Sequence, residues 1–267
     1  MRARMAGVDF TIIPTERAGH AEELARRAAE GGADVVVAIG GDGTVNEVGR
    51  GLIGTGAALG IIPCGSGNGL ARHLGLSMST AKAVDVVLEA NIIKADYGII
   101  NNHPFFCTCG AGFDAFVSMK FAESGRRGPV NYVRTALREV LNYRPETYQL
   151  VLDDDRRESY RAFVIACANA SQYGNNAYIA PEASLRDGVM DITIVEPFKL
   201  TDIPAMSIRL FNKTLDKDSK IRIFKTKRAV IKRASAGVFH VDGDPVMGPA
   251  ELDVRIVEGG INMVVPK

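Results

Sequence analysis

Apolar positions at Ala21, Leu24, Ala25 and Ala28 recur at helical period and stop at Gly31-Gly32, which predicts an amphipathic helix. Val35 to Ile39 is a continuous run of mainly β-branched residues, the pattern of a strand buried on both faces. A glycine turn, Gly40 to Gly43, and a helix from about Val45 follow. Leu59 to Ile62 reads as the next strand, Gly65 to Gly69 as a second glycine turn, and Thr80 to Ala90 as a helix. Strands alternating with helices predict a parallel sheet.

After Asp96 the texture changes. Tyr97 to Cys109 reads as two short strands joined at Asn101-Asn102, and helices are predicted near Phe113 to Ala122 and Val130 to Tyr143. Strands then dominate: Thr147 to Leu152, Arg161 to Ala168, Met190 to Val195, Ala229 to Lys232, Val238 to Val241, Leu252 to Val257 and Asn262 to Val265. A helix near Ile203 to Phe211 interrupts them. The expectation is an α/β domain over 1–96 and a β-rich domain over 97–267.

With 46% hydrophobic and 24% charged residues in 267, the chain can bury a substantial core. A net charge of +1 excludes a strongly basic nucleic-acid binder on global charge. No run of about 18 apolar residues occurs and MRARMAGVDF lacks a signal-peptide core, so a cytoplasmic protein is expected. Cys64, Cys107, Cys109 and Cys167 make no CxxC pair and read as reduced thiols, with Cys107 and Cys109 on one face of a strand. The basic stretch Lys213 to Arg233 reads as a solvated sandwich face, with contact to an anionic membrane as the alternative, and Arg134 and Arg138 read as surface residues.

Two glycine-rich turns, each after a buried strand and before a helix, carry the chemistry. In an open parallel sheet such turns meet at the carboxyl ends of the strands, where helix N-termini offer unpaired N–H groups to phosphate. Gly40, Gly41 and Gly43 allow close backbone approach, and Thr44 can cap the helix and donate to a phosphate. Asp42 adds a negative charge that a nucleotide phosphate tolerates only with a cation between them, which points to Mg²⁺. The second turn repeats this logic with Ser66 and Asn68 as donors, and neither turn holds a Walker lysine.

Ile39 to Val48, spaced ahead of Ile62 to Ala71, resembles the catalytic domain of diacylglycerol, sphingosine and ceramide kinases and their bacterial relatives of the YegS type. Ala168-Asn169-Ala170 with Tyr173-Gly174, Ile179-Ala180-Pro181, Leu185 to Asp191, and Val241-Asp242-Gly243-Asp244 are similar to later family blocks in the same order. The resemblance implies a nucleotide domain related to NAD kinase and phosphofructokinase, a C-terminal β-sandwich and a cleft between them. It implies an ATP- and Mg²⁺-dependent kinase acting on the hydroxyl of a diacylglycerol- or sphingoid-type lipid; peripheral contact at the inner membrane face is left open. Pairing of two copies is left open.

By carry-over, Gly40, Gly41, Gly43, Thr44, Glu47, Gly65, Ser66, Gly67, Asn68, Gly69, Leu70 and Ala71 bind nucleotide, and Asp42 belongs to the phosphate and magnesium site. Asp96 and Asp114 match positions that hold the catalytic magnesium through waters; a structural Mg²⁺ would use Asp187 with main-chain oxygens of Ser184 and Val189. Asp244 is the expected general base, accepting the alcohol proton during in-line transfer, with Asp242 as the alternative because Asp is one methylene shorter than the family's usual Glu. Asp242 to Pro245 also reads as a hairpin turn. The family's first strand and its Asn-Pro-x-Ser-Gly-like loop are not matched in this sequence, and Gly69 stands where one bacterial branch has an acid.

Three rival readings remain. Gly110 to Ala115 fits a relaxed dinucleotide fingerprint, yet a helix, not a second strand, follows it. A NAD kinase-like enzyme shares Gly-Gly-Asp-Gly-Thr but not the second turn or the Asp-Gly-Asp block. A truncated, non-catalytic binding module is the third.

Overall fold

The structure is a computed structural model and describes residues 7–125, 128–153 and 155–267. Helix α1 (His20–Glu30), strand β1 (Val35–Gly40), α2 (Asp42–Leu52), β2 (Ala58–Pro63), the short α3 (Gly69–His73) and α4 (Thr80–Glu89) build the first part. β1 and β2 pair in parallel from Val35↔Ala58 to Gly40↔Pro63, so both glycine turns leave the sheet at the same level. Helix α2 starts at Asp42, three residues earlier than expected, because the glycine turn is itself the helix N-terminus.

The remaining elements are β3 (Ile92–Ile100), β4 (His103–Phe105), β5 (Thr108–Gly112), α5 (Phe113–Glu123), α6 (Pro129–Glu139), β6 (Glu146–Leu152), β7 (Arg157–Ala162), β8 (Val164–Ala168), β9 (Met190–Val195), α7 (Ile203–Phe211), β10 (Ile221–Thr226), β11 (Arg228–Lys232), β12 (Gly237–Val241), β13 (Asp244–Gly248) and β14 (Glu251–Val264). One sheet runs β1-β2-β14-β11-β6-β7, with β3 on β14 and β4 on β3; the second runs β10-β9-β8-β5-β12-β13. They face each other across Tyr148, Leu150, Ile165, Met190, Ile192, Ile231, Phe239 and Leu252. The outer face of β8 and β9 is also covered, by Ile179, Leu215 and α7, which is why both strands are buried at every position.

Three sequence expectations change. The run Arg161 to Ala168 is two strands in different sheets, broken at Phe163, whose N–H leaves for Val195 O at 2.7 Å. Leu252 to Val257 and Asn262 to Val265 are one strand, bulged between Val257 and Ile261. Its end returns to the first part, where Asn262 and Met263 pair in parallel with Ala58 and Leu59. β3 runs from Ile92 to Ile100 and pairs with β14, so these two strands tie the first part to the sandwich along a shared ladder. Cys109 pairs across the sheet with Cys167 rather than with Cys107, whose thiol donates to Gln172 O at 3.0 Å; all four cysteines are free.

Candidate active site

The two glycine turns touch. Cys64 N donates to Gly40 O at 2.8 Å, and a Cβ on Gly41 would sit 3.1 Å from Gly65 Cα. A Cβ on Gly65 would collide with Gly41 Cα, so the close approach itself demands glycine on both sides.

Asp42, at the head of α2, holds the second turn. Its Oδ2 accepts from Asn68 N at 2.8 Å and its Oδ1 from Gly69 N at 2.7 Å. Burial pushes the carboxyl above its ordinary value while the amides of Gly69 and Asn68 pull it back. Asn68, in the left-handed region at φ 53, turns its side chain back onto Gly65: Oδ1 accepts from Gly65 N at 3.0 Å and Nδ2 donates to Gly65 O at 2.8 Å. It braces the loop. Arg72 Nε donates to Gly67 O at 3.1 Å, and Asn175 N donates to the same oxygen.

Of the other nucleotide-site candidates, Ser66 is exposed at the tip of the turn and Thr44 is half-buried against Gly40. Leu70 and Ala71 face the core and position α3. Glu47 accepts from Gly19 N at 2.8 Å and Ala21 N at 3.1 Å, fastening the start of α1 to α2. Gly69 leaves no room for a side chain, since a Cβ would meet Cys107 Sγ at 3.0 Å and the Tyr173 carbonyl at 3.2 Å.

The second domain supplies Asp242 and Asp244 from the β12–β13 hairpin, where Val241 pairs with Asp244. Asp242 at φ 48 and Gly243 at φ 91 form the two-residue turn with both central residues left-handed, the type that matches strand twist. The Asp242 carboxylate accepts from Asn46 Nδ2 (2.8 Å), Phe106 N (2.9 Å), Cys107 N (2.8 Å) and Thr108 N (3.0 Å). With every oxygen occupied it joins α2, the β4–β5 link and the hairpin; burial raises its carboxyl above the ordinary value against these donors. Asp244 instead points across the cleft, its Oδ2 3.6 Å from where a Cβ on Gly43 would lie. Desolvation raises its carboxyl first, then the charges of Glu47 and Asp42, with Arg50 and His240 opposing.

The carboxylates implied for magnesium have other partners. Asp96 Oδ2 accepts from Gly188 N at 2.8 Å and Oδ1 from Gly259 N at 2.7 Å, pinning the 185–189 loop to the β14 bulge. Asp114 Oδ1 accepts from Ala115 N, and Oδ2 meets Tyr173 Oη at 2.8 Å and His240 Nε2 at 3.0 Å. Asp187 Oδ2 lies 3.1 Å from Lys225 Nζ, and its Oδ1 accepts from Val189 N at 3.4 Å; Ser184 Oγ accepts from Arg186 N. Among the described residues no three His, Cys, Asp or Glu side chains converge as a metal cage. Asp96, Asp114 and Asp187 thus each keep protein partners of their own.

Sequence reasoning missed Asn46, His240 and the anchoring role of Asp114. Asn46 carried a signal: a polar, weakly helix-forming residue one turn into α2 on its buried side. His240 and Asp114 are 126 residues apart and nothing local announces their contact.

A parallel β1–β2 pair ending in two fused glycine turns, closed over by a hairpin carboxylate from a β-sandwich, defines a two-domain phosphotransferase of the NAD kinase-related type. Residues 1–100 match the family described as diacylglycerol kinase catalytic domain, and residues 107–265 match the YegS C-terminal NAD kinase beta sandwich-like domain. The chain belongs to this lipid kinase family, a family of phosphotransferases. It is 34% identical over 203 residues to the probable lipid kinase YegS-like of Chromohalobacter salexigens, covering 74% of this chain and 65% of that one. It is 29% identical to the diacylglycerol kinase of Mycobacterium tuberculosis, covering 100% of this chain and 88% of that one. The crystal structure of a diacylglycerol kinase from Bacillus anthracis str. Sterne superposes with a TM-score of 0.78 at 20% identity, covering 99% and 88% of the two chains, and shows the same fold. No helix among the described residues is long and apolar enough to cross a membrane.

Proposed function

We propose that the chain transfers the terminal phosphoryl group of ATP to the hydroxyl of a diacylglycerol- or sphingoid-type lipid presented at a membrane surface. The observation that carries this reading is the Asp244 carboxylate beside Gly43, with no backbone donor engaging it, at the mouth of the fused glycine turns. ATP lies along the turns, its phosphates against the amides at the head of α2 and the exposed Gly65–Gly67 tip. Asp244 takes the proton of the acceptor hydroxyl as the new P–O bond forms and the bond to ADP breaks. Asp42 and Asp242 act at one remove: the first shapes the second turn, the second fixes the hairpin. Magnesium is supported only as the ion that accompanies ATP, since such sites draw on phosphate oxygens rather than an all-protein cage.

The test is ADP release with ATP and, in turn, dispersed diacylglycerol, dispersed sphingoid base and NAD⁺. Turnover with one of the lipids is expected. Turnover with NAD⁺ alone would replace the reading with a NAD kinase-like one, and nucleotide binding without any turnover would replace it with a binding module.

A further inference from the structure

Helix α6 is turned inside out. At 3.6 residues per turn, Val130, Val133 and Leu137 fall within an arc of about 60°, and Leu141 follows just past the helix end. That stripe faces solvent: the four are 79%, 52%, 58% and 67% exposed. The helix is held from its other side, where Tyr132 meets Phe121 of α5 edge to face at 5.4 Å between ring centres. A contiguous apolar stripe on an otherwise ordinary surface marks an interaction site.

We propose that α6 docks the protein on an anionic lipid bilayer, its apolar stripe in the headgroup region and Arg134 and Arg138 against lipid phosphates. Both arginines are exposed and follow the stripe on one flank, as in helices that lie in a membrane interface. Arg138 is 84% exposed, with Glu139 only at 3.9 Å. Between residues 128 and 144, Arg134, Arg138 and Arg144 are exposed and Glu139 is the one acid. A second copy of this chain would bring two such basic surfaces together, which disfavours self-pairing and favours an anionic partner.

The Lys213 to Arg233 stretch has the opposite character. Arg222 pairs with Glu196, Lys225 with Asp187 and Asp191, Lys227 with Glu258, Arg228 with Asp253 and Lys232 with Glu251, so its charge is largely answered within the protein. The solvated-face reading of that stretch fits these pairs. The position of α6 suits the chemistry as well: it packs on α5, which packs on β12 and β13, the hairpin that carries Asp244. The inference rests on the lipid kinase reading for its purpose, not for its evidence.

The experiment is co-sedimentation of the full chain with phosphatidylcholine vesicles, with and without phosphatidylglycerol. Wild type is expected to bind only the anionic vesicles. Arg134→Glu/Arg138→Glu and, separately, Val133→Asp/Leu137→Asp weaken that partition on the order of tenfold or more. Lys227→Glu/Lys232→Glu leaves it unchanged. Circular dichroism checks that the variants fold, and ADP release with a short-chain, monomeric diacylglycerol is unaltered in them. Equal vesicle binding by wild type and the α6 variants overturns the proposal, as does a change of oligomeric state in the variants with vesicle binding intact. Loss of vesicle binding with short-chain turnover retained concerns docking alone; vesicle binding without turnover on any lipid leaves docking standing and removes the kinase reading.

Discussion

Asp244 Oδ2 lies 3.6 Å from the point a Cβ on Gly43 would occupy, so a carboxylate of the sandwich reaches the first glycine turn of the α/β part. Asp244→Asn keeps the shape and removes the proton acceptor. Turnover should fall about 10²- to 10⁴-fold while ATP affinity holds, measured by steady-state kinetics and nucleotide titration. Wild-type turnover in this variant would remove Asp244 as base.

Asp42 predicts a different kinetic signature. Its two oxygens receive Asn68 N and Gly69 N, so Asp42→Asn sets an amide N–H against one of those donors and distorts the turn. The ATP KM should rise about tenfold, consistent with one charge-assisted hydrogen bond lost, and by more than kcat falls. A loss confined to kcat, with ATP binding untouched, would return Asp42 to direct chemistry.

Asp242→Asn tests architecture. Three backbone N–H groups and Asn46 Nδ2 end on this carboxylate, and an amide has a single acceptor oxygen. Leaving buried donors unmet costs about 1–3 kcal/mol each, so the variant should be about 3 kcal/mol less stable in denaturant unfolding. Wild-type stability would show that this junction is not held as described.

What the sequence made legible was local. Both glycine turns follow short apolar runs, and their fusion is implied by parallel strands β1 and β2. The Asp242-Gly243 turn could be read from residue type alone, since both positions need left-handed backbone. The occupancy of the carboxylates was not legible. Asp42 and Asp242 read as metal or catalytic groups because they sit beside glycines, and Asp96 and Asp114 because they match positions of the resembling family. Their partners are mostly backbone amides 26 to 163 residues away, and amides carry no residue-type signal. The junction of the two parts was hidden for the same reason: β14 reads as two strands because its bulge at 258–260 interrupts the alternation.

The pH dependence follows from the crowding of Asp244. Desolvation, then the charges of Glu47 and Asp42, raise its carboxyl above its ordinary value, so the ionised form needed to accept a proton is reached at higher pH than for a free carboxylate. The acid limb of kcat/KM should therefore lie higher than for a free carboxylate. Glu47→Gln removes one of the two repelling charges, keeps an oxygen for the Gly19 or Ala21 amide, and should move that limb to lower pH. The stability sign is opposite to that of a salt-bridged acid. Because the folded state holds the Asp244 proton more tightly than the unfolded chain, the favourable contribution is complete at acid pH and is lost as pH rises through the folded value. Asp244→Asn should then be more stable than wild type at neutral pH, and the difference should close on acidification. Thermal unfolding of both proteins across that pH range checks it, and a wild-type advantage at neutral pH would mean that Asp244 is stabilised as an anion and is not the strained group described.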